Sequence, residues 1–248
     1  MPKYKLILAY DGSAYSGWQI QKNKITVQSK VEEALEVLLK KKTSLIGASR
    51  TDAGVHALGQ TAHFSTLEEL DLERALYSLN GLLPQDIRLK SLEPVQETFH
   101  ARFWAKKKTY HYFFFLGRHQ DPFERFFSTH IYQPLDLQIM QKACLCFLGR
   151  HDFSAFANAS REDSAKTKPI KNMFKIELKE VRPQTYRLEF EADGFLYKMV
   201  RNLTGTLIEA ASGKLSLEDL PLILASKDRK KAGFAAPAKG LFLVKVYY

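Results

Sequence analysis

Lys3-Tyr4-Lys5-Leu6-Ile7-Leu8-Ala9-Tyr10, closed by Asp11-Gly12 and followed by a run from Val27 to Leu39, is the stretch on which the fold turns. Polar and apolar residues alternate through Lys3 to Tyr10, as in a strand with one covered face, and Asp11-Gly12 ends it as a turn. Val27, Val31, Ala34, Leu35, Leu38 and Leu39 recur at the period of a helix. Working outward, Ser44 to Ser49 and Gln60 to Phe64 read as short strands. Leu72 to Leu79 reads as a helix capped by Asp71, and Asp86 to Val95 as a fourth strand. The order is β-α-β-β-α-β.

The rest of the chain repeats that order loosely. Lys107 to Leu116 is a strand rich in Tyr and Phe, and Leu135 to Leu148 a helix. Phe174 to Val181 and Tyr186 to Ala192 form a hairpin across Arg182-Pro183-Gln184. Phe195 to Ala211 is a long helix, Leu217 to Ala225 a short extra one, and Leu241 to Val246 a last strand. Two such units predict an α+β fold of two ferredoxin-like halves, residues 1–100 and 101–248, with antiparallel sheets and helices on one face. The cleft between the halves is where a site is expected. No repeat is visible in the residues themselves, so the duplication rests on the order of elements.

Lys and Arg number 37 against 27 Asp and Glu, a formal charge of +10. A basic surplus suits a polyanion such as nucleic acid, though a basic protein with no such partner has the same composition. The cations gather at Arg102 to Lys108, Lys166 to Lys175 and Lys227 to Lys231, and the first two runs adjoin Phe103, Trp104, Tyr110 and Phe174. That mixture suits RNA, where cations take phosphates and rings stack on splayed bases. Hydrophobic residues make up 45% of the chain, which excludes disorder.

No window approaches the roughly 18 apolar residues of a membrane helix, and the apolar run Leu6 to Tyr10 is too short for a secretory signal. A cytoplasmic protein that binds no membrane is expected. Cys144 and Cys146 form neither a zinc pattern nor a disulfide framework and read as two buried thiols. Dinucleotide, phosphate-loop and H-E-x-x-H signatures are missing, so neither cofactor nor metal is expected. Asn158-Ala159-Ser160 and Asn202-Leu203-Thr204 fit the glycosylation pattern by chance in such a protein.

The segment Ala48-Ser49-Arg50-Thr51-Asp52-Ala53-Gly54-Val55-His56-Ala57 leaves a strand and enters a tight loop in which Gly54 can take a positive φ. Its small residues leave room for a ligand to reach the backbone. A carboxylate placed like Asp52 can act as a nucleophile, and it can equally cap a turn, with Arg50 as a surface cation.

Ser49-Arg50-Thr51-Asp52-Ala53-Gly54-Val55-His56 resembles the G-R-T-D-A-G-V-H signature of the TruA-type tRNA pseudouridine synthases, with Ser49 where glycine is usual. Further blocks resemble the same family in order. Tyr10-Asp11-Gly12 with Tyr15-Ser16-Gly17-Trp18-Gln19 is similar to its opening block. Phe99-His100-Ala101-Arg102-Phe103 with Tyr110-His111-Tyr112 is similar to its middle block. Met199-Val200-Arg201-Asn202 with Gly205 resembles its late helix, and Lys239-Gly240-Leu241 its final strand. Nearly the whole chain is covered.

The resemblance implies isomerisation of uridine to pseudouridine at positions 38, 39 and 40 in the anticodon arm of tRNA, by a homodimer without cofactor. It makes Asp52 the nucleophile, which must be ionised, and Arg201 the cation that pairs with it. It makes Tyr110 the ring that stacks on the target uracil, and Arg50 the residue that helps hold the base out of its stack. On alternation alone Tyr112 shares a face with Tyr110 and is a rival for that wall. His56 and His100 fall inside the blocks, and a structural role suits both. Three other readings stand beside this one: a synthase for another RNA site, a non-catalytic RNA-binding protein, and a nucleoside hydrolase. The last would call for a carboxylate cluster around Asp52 that the sequence does not offer.

Overall fold

The computed structural model describes residues 1–159 and 168–248. Lys166 of the second basic run and Ser160 of the first glycosylation-like triplet lie outside the described residues. Ten strands and five α-helices are found among those described, a mixed α/β composition. Residue contacts divide the chain into two units: Met1–Lys106 with Phe242–Tyr248, and Lys107–Leu241.

In the first unit, β1 (Lys3–Tyr10) lies between β3 (His56–Ser65) and β4 (Ile87–Val95), antiparallel to both. Tyr4, Leu6, Leu8 and Tyr10 of β1 are buried while the residues between them are half-buried, as the alternation predicts. Helix α1 (Val27–Leu39) has the predicted bounds. Thr26 caps it: its side chain accepts the Ser29 N–H at 3.2 Å, and the Ser29 hydroxyl accepts the Thr26 N–H at 3.3 Å. Asp71 caps α2 (Leu72–Leu82) as expected, accepting the Arg74 N–H at 3.1 Å.

The two middle strands depart from expectation. β2 is only Ile46–Gly47, and β3 runs well beyond Gln60 to Phe64. β3 is buried on both faces along most of its length, so it lacks the period of two that marks a strand.

In the second unit, β5 (Lys107–Phe115) pairs antiparallel with β9 (Thr185–Ala192), setting Tyr110 opposite Phe190. β9 forms the predicted hairpin with β8 (Ile170–Arg182), and Gln184 in its turn has φ 59°. Two short strands were not legible: β6 (Thr129–His130), parallel to β5, and β7 (Gly149–Asp152), on the edge of β8. Two to four residues are too few to display a period.

Helices α3 (Leu137–Leu145), α4 (Met199–Ala211) and α5 (Asp219–Ser226) complete this unit. α4 starts four residues later than predicted because Lys198 takes a left-handed conformation, φ 61°, that breaks the helix there. It is also buried on nearly every side, from Asn202 through Ile208, rather than along one stripe. Cys144 is buried but Cys146 is only half-buried, and both thiols are free.

The last strand, β10 (Leu241–Tyr247), was expected to close the second half. It pairs in parallel with β3 of the first unit, Phe242 opposite His56. The chain therefore returns to its first unit at the end, which a division at residue 100 by chain order does not provide. Among the described residues no helix is long and apolar enough to cross a membrane.

Candidate active site

Asp52 stands on the loop between β2 and β3. The loop leaves the sheet under restraint: Ala48 N donates to Thr61 O at 2.7 Å, and Gln60 Nε2 donates to Ser49 O at 2.6 Å. It re-enters through a turn in which Val55 N donates to Asp52 O at 3.1 Å. Gly54 has φ 76° there, the positive value the sequence suggests.

The outer edge of this loop is held by residues 10–18. Trp18 N donates to Thr51 O at 3.0 Å, and Gly54 N donates to Tyr15 O at 3.3 Å. The Tyr10 hydroxyl lies 2.8 Å from Thr51 Oγ1 in a buried hydrogen bond. Gly17, at φ 89°, makes the close approach possible: a Cβ there would run into the Thr51 carbonyl and stand 3.0 Å from the Asp52 carbonyl carbon. This holding segment is in turn pinned to the start of α1, with Val27 N donating to Gly17 O at 3.1 Å and Gln28 N to Trp18 O at 3.0 Å. Trp18 is fully buried and stacks on Tyr10 at 6.1 Å. The turn is thus fixed by a strand, a helix start and a neighbouring loop, while Asp52 remains half-buried and Arg50 exposed.

His56 serves this scaffold. It is buried at the start of β3, stacks on Phe242 at 4.5 Å, and accepts the Gly12 N–H on Nδ1 at 3.1 Å. Asp11 Oδ1 approaches the same nitrogen at 3.1 Å. Tyr15 donates to Asp86 Oδ1 at 2.5 Å; burial and that carboxylate together raise its pKa. His100 accepts the N–H groups of Arg102 and Phe103, both at 3.2 Å, and shapes its own turn.

The other two expected residues belong to the second unit. Tyr110 on β5 is buried, with Phe195 edge-on to its ring at 5.0 Å. Tyr112, its rival, is fully buried and its hydroxyl is committed: it lies 2.8 Å from Thr129 Oγ1 and donates to Pro237 O at 3.0 Å. Burial raises the Tyr112 pKa, opposed by the Thr129 hydrogen bond and the Arg201 charge.

Arg201 lies in the first turn of α4 and is half-buried. Its Nε donates to Ala236 O at 2.7 Å, and Ala236 N donates back to Arg201 O at 3.0 Å. A cation at the positive end of a helix is disfavoured, and here no acidic residue in that turn offsets it.

The residue after it was not singled out by sequence. Asn202 is fully buried and bridges three segments: its Nδ2 donates to Phe156 O at 2.7 Å and Asn158 Oδ1 at 2.9 Å, and its Oδ1 accepts from Arg229 Nη2 at 2.9 Å. Tyr10, Gly17 and Trp18 were likewise visible only as members of a block, with no role legible in them. Among the described residues no group of three or more His, Cys, Asp or Glu side chains is arranged to hold a metal ion.

Comparison with known proteins bears on this geometry. A family model described as tRNA pseudouridine synthase matches residues 6–104 and 143–248, well over half the chain. The protein is 50% identical to "tRNA pseudouridine synthase A 1" of Protochlamydia amoebophila, over 99% of this chain and 96% of that one. It is 45% identical to "tRNA pseudouridine synthase A" of Acetivibrio thermocellus over the full length of both. The protein of that name from Bacillus subtilis is 40% identical over 99% of each. Both the clamped Asp52 turn and the Arg201 helix start fall within the matched residues, and the chain belongs to the tRNA pseudouridine synthase family.

Proposed function

We propose that this isomerase converts uridine to pseudouridine at positions 38, 39 and 40 of the tRNA anticodon arm, with Asp52 as the nucleophile. The observation that carries the reading is the Asp52 turn: a half-buried carboxylate on a backbone fixed by hydrogen bonds to Tyr15, Trp18 and Val55. A nucleophile held this way loses little entropy on reaching its attack geometry.

The reaction breaks the bond between ribose C1′ and uracil N1, turns the base, and joins C1′ to C5. The proton lost from C5 is balanced by the one gained at N1. A carboxylate can add covalently, stay attached while the base turns, and leave again. Arg201 is the catalytic cation, supported by its half-buried place in the first turn of α4 and by the Ala236 carbonyl that fixes its Nε. Tyr110 stacks on the uracil, supported by its packing against Phe195. Arg50, exposed next to the turn, helps hold the base out of its stack once it has been flipped, at a cost of a few kcal/mol.

The protein acts as a homodimer in the cytoplasm, a reading that rests on the family resemblance and sits well with two free thiols. The basic surplus makes tRNA binding weaken steeply with salt.

The test is incubation of the full chain and of Asp52→Asn with unmodified tRNA transcripts, followed by position-resolved pseudouridine detection. The variant binds tRNA and forms no product. Product at the parent rate removes Asp52 from the mechanism, and product only outside positions 38 to 40 removes the substrate assignment. A monomer at micromolar concentration in sedimentation velocity removes the homodimer.

A further inference from the structure

A cleft of about 760 Å³ in the first unit is lined by Lys5 of β1, by Phe99, Phe103, Trp104 and Lys106 after β4, and by Tyr248. Its rings divide into two kinds. Phe99 is buried, its centroid 5.0 Å from that of Tyr248, whose hydroxyl donates to Ala101 O at 2.8 Å. These two form the wall. Phe103 is 75% exposed and Trp104 44% exposed.

Both exposed rings are nevertheless held in place. Phe103 stacks on His100 at 4.2 Å and 27°, and Trp104 sets its edge to Phe99 at 5.7 Å and 71°. Each is supported from one side and open on the other. Single exposed apolar residues are ordinary, but two adjacent oriented rings at a cleft mark a surface that receives something.

Charge decides what it receives. Glu93 is paired with Lys5, and Glu97 with the Met1 ammonium at 2.7 Å. Arg102 and Lys106 are both exposed and stand on either side of the rings in the chain. A second copy of this surface would bring cations against cations. An unpaired nucleotide meets the pattern, its base on a ring and its phosphates on the flanking charges.

We propose that this cleft is a second RNA contact, in which Phe103 and Trp104 stack an unpaired nucleotide of the tRNA and Arg102 and Lys106 take adjacent phosphates. It rests on the tRNA reading above and extends it to a surface that takes no part in the chemistry.

The two tryptophans provide a direct readout, since Trp18 is fully buried and Trp104 is not. The protein carrying Asp52→Asn is titrated with unmodified tRNA transcript while its emission is followed. Emission falls on binding, and the fall disappears when Trp104→Phe is added, although tRNA still binds. In the otherwise unaltered protein, Phe103→Ala raises Kd and KM for tRNA about five- to a hundredfold, the range expected for a lost stacking contact, and leaves kcat unchanged.

Unchanged emission with an unchanged Kd in Phe103→Ala, in a protein that still forms pseudouridine, overturns this inference alone. A Trp104 response from a protein that forms no pseudouridine overturns the catalytic reading and keeps this one. A Phe103→Ala protein that loses mass in sedimentation velocity while its tRNA Kd is unchanged gives the cleft to a second copy and overturns the RNA contact.

Discussion

The Asp52 turn and the Arg201 helix start are built by opposite means. Asp52 lies on a loop whose shape comes largely from backbone bonds to a second loop, at a separation that Gly12 and Gly17 permit. Arg201 lies on a helix buried on nearly every side, and the polar side chain of Asn202 ties that helix to its surroundings. A loop with no core of its own can be rigid only if its backbone groups find partners nearby, which makes small residues indispensable. A buried helix already has its backbone satisfied, so side chains are left to set its position. The contrast predicts that the first region fails on added bulk, and that the second fails on lost side-chain hydrogen bonds as well as on bulk at Gly205, where a Cβ would run into Phe234 O.

The largest effect comes from Gly17→Ala. The new methyl meets the Thr51 carbonyl, and the residue must also hold φ 89°, which an L side chain resists. We expect a loss of about 4 kcal/mol, with steric and backbone strain combined, and loss of pseudouridine formation in whatever protein remains folded. Urea denaturation checks the first and position-resolved product detection the second. A variant as stable and active as the parent would mean that the turn is not held by this contact.

Asn202→Ala comes next. It removes the acceptor of Arg229 and the donor to two oxygens in a fully buried place, so about 3 kcal/mol should be lost. Asn202→Asp is the sharper probe. It keeps the shape and the acceptor for Arg229 but turns a donor towards Phe156 O into a second acceptor. If both variants unfold at the parent's urea midpoint, side-chain polarity does not hold this helix.

The smallest effect is one the two units share. His63 of the first is shifted from 6.5 to about 4 by burial, helped by the charges of His100 and Lys3. His111 of the second is also shifted to about 4, by burial and Arg187, with Glu189 opposing. Each histidine resists in the fold a proton that the unfolded chain accepts. Stability therefore falls as pH drops from about 6.5 to about 4, on the order of 2 kcal/mol per histidine. Urea midpoints across that range measure it. His63→Gln should flatten part of the slope, since Gln can still accept the Ala101 N–H that His63 Nδ1 accepts at 3.1 Å. Midpoints that do not move with pH would contradict both shifts.

The chain order alone determined a good deal. β1, α1, α2, β4, β5 and the β8–β9 hairpin declared themselves because each satisfies its own local rule: an alternation, a helical period, a cap or a turn. The loop carrying Asp52 was legible for the same reason, as small residues and a glycine stand next to each other in sequence. What only the tertiary structure decided involves partners far apart in the chain. β3 hides its period because both its faces are covered. β10 joins β3, some 180 residues earlier in the chain, because a strand takes whichever edge offers unpaired backbone groups. Tyr110 and Tyr112 share a face by periodicity and both are buried, and the contacts of the Tyr112 hydroxyl with Thr129 and Pro237 are announced by none of its neighbours in the chain. Gly17 and Asn202 show the same limit: nothing in the neighbouring letters says that a backbone will pass within van der Waals distance or that three segments will converge on one amide. Local preference is written in adjacent residues, whereas close approach and burial are set by which distant segments come to lie together.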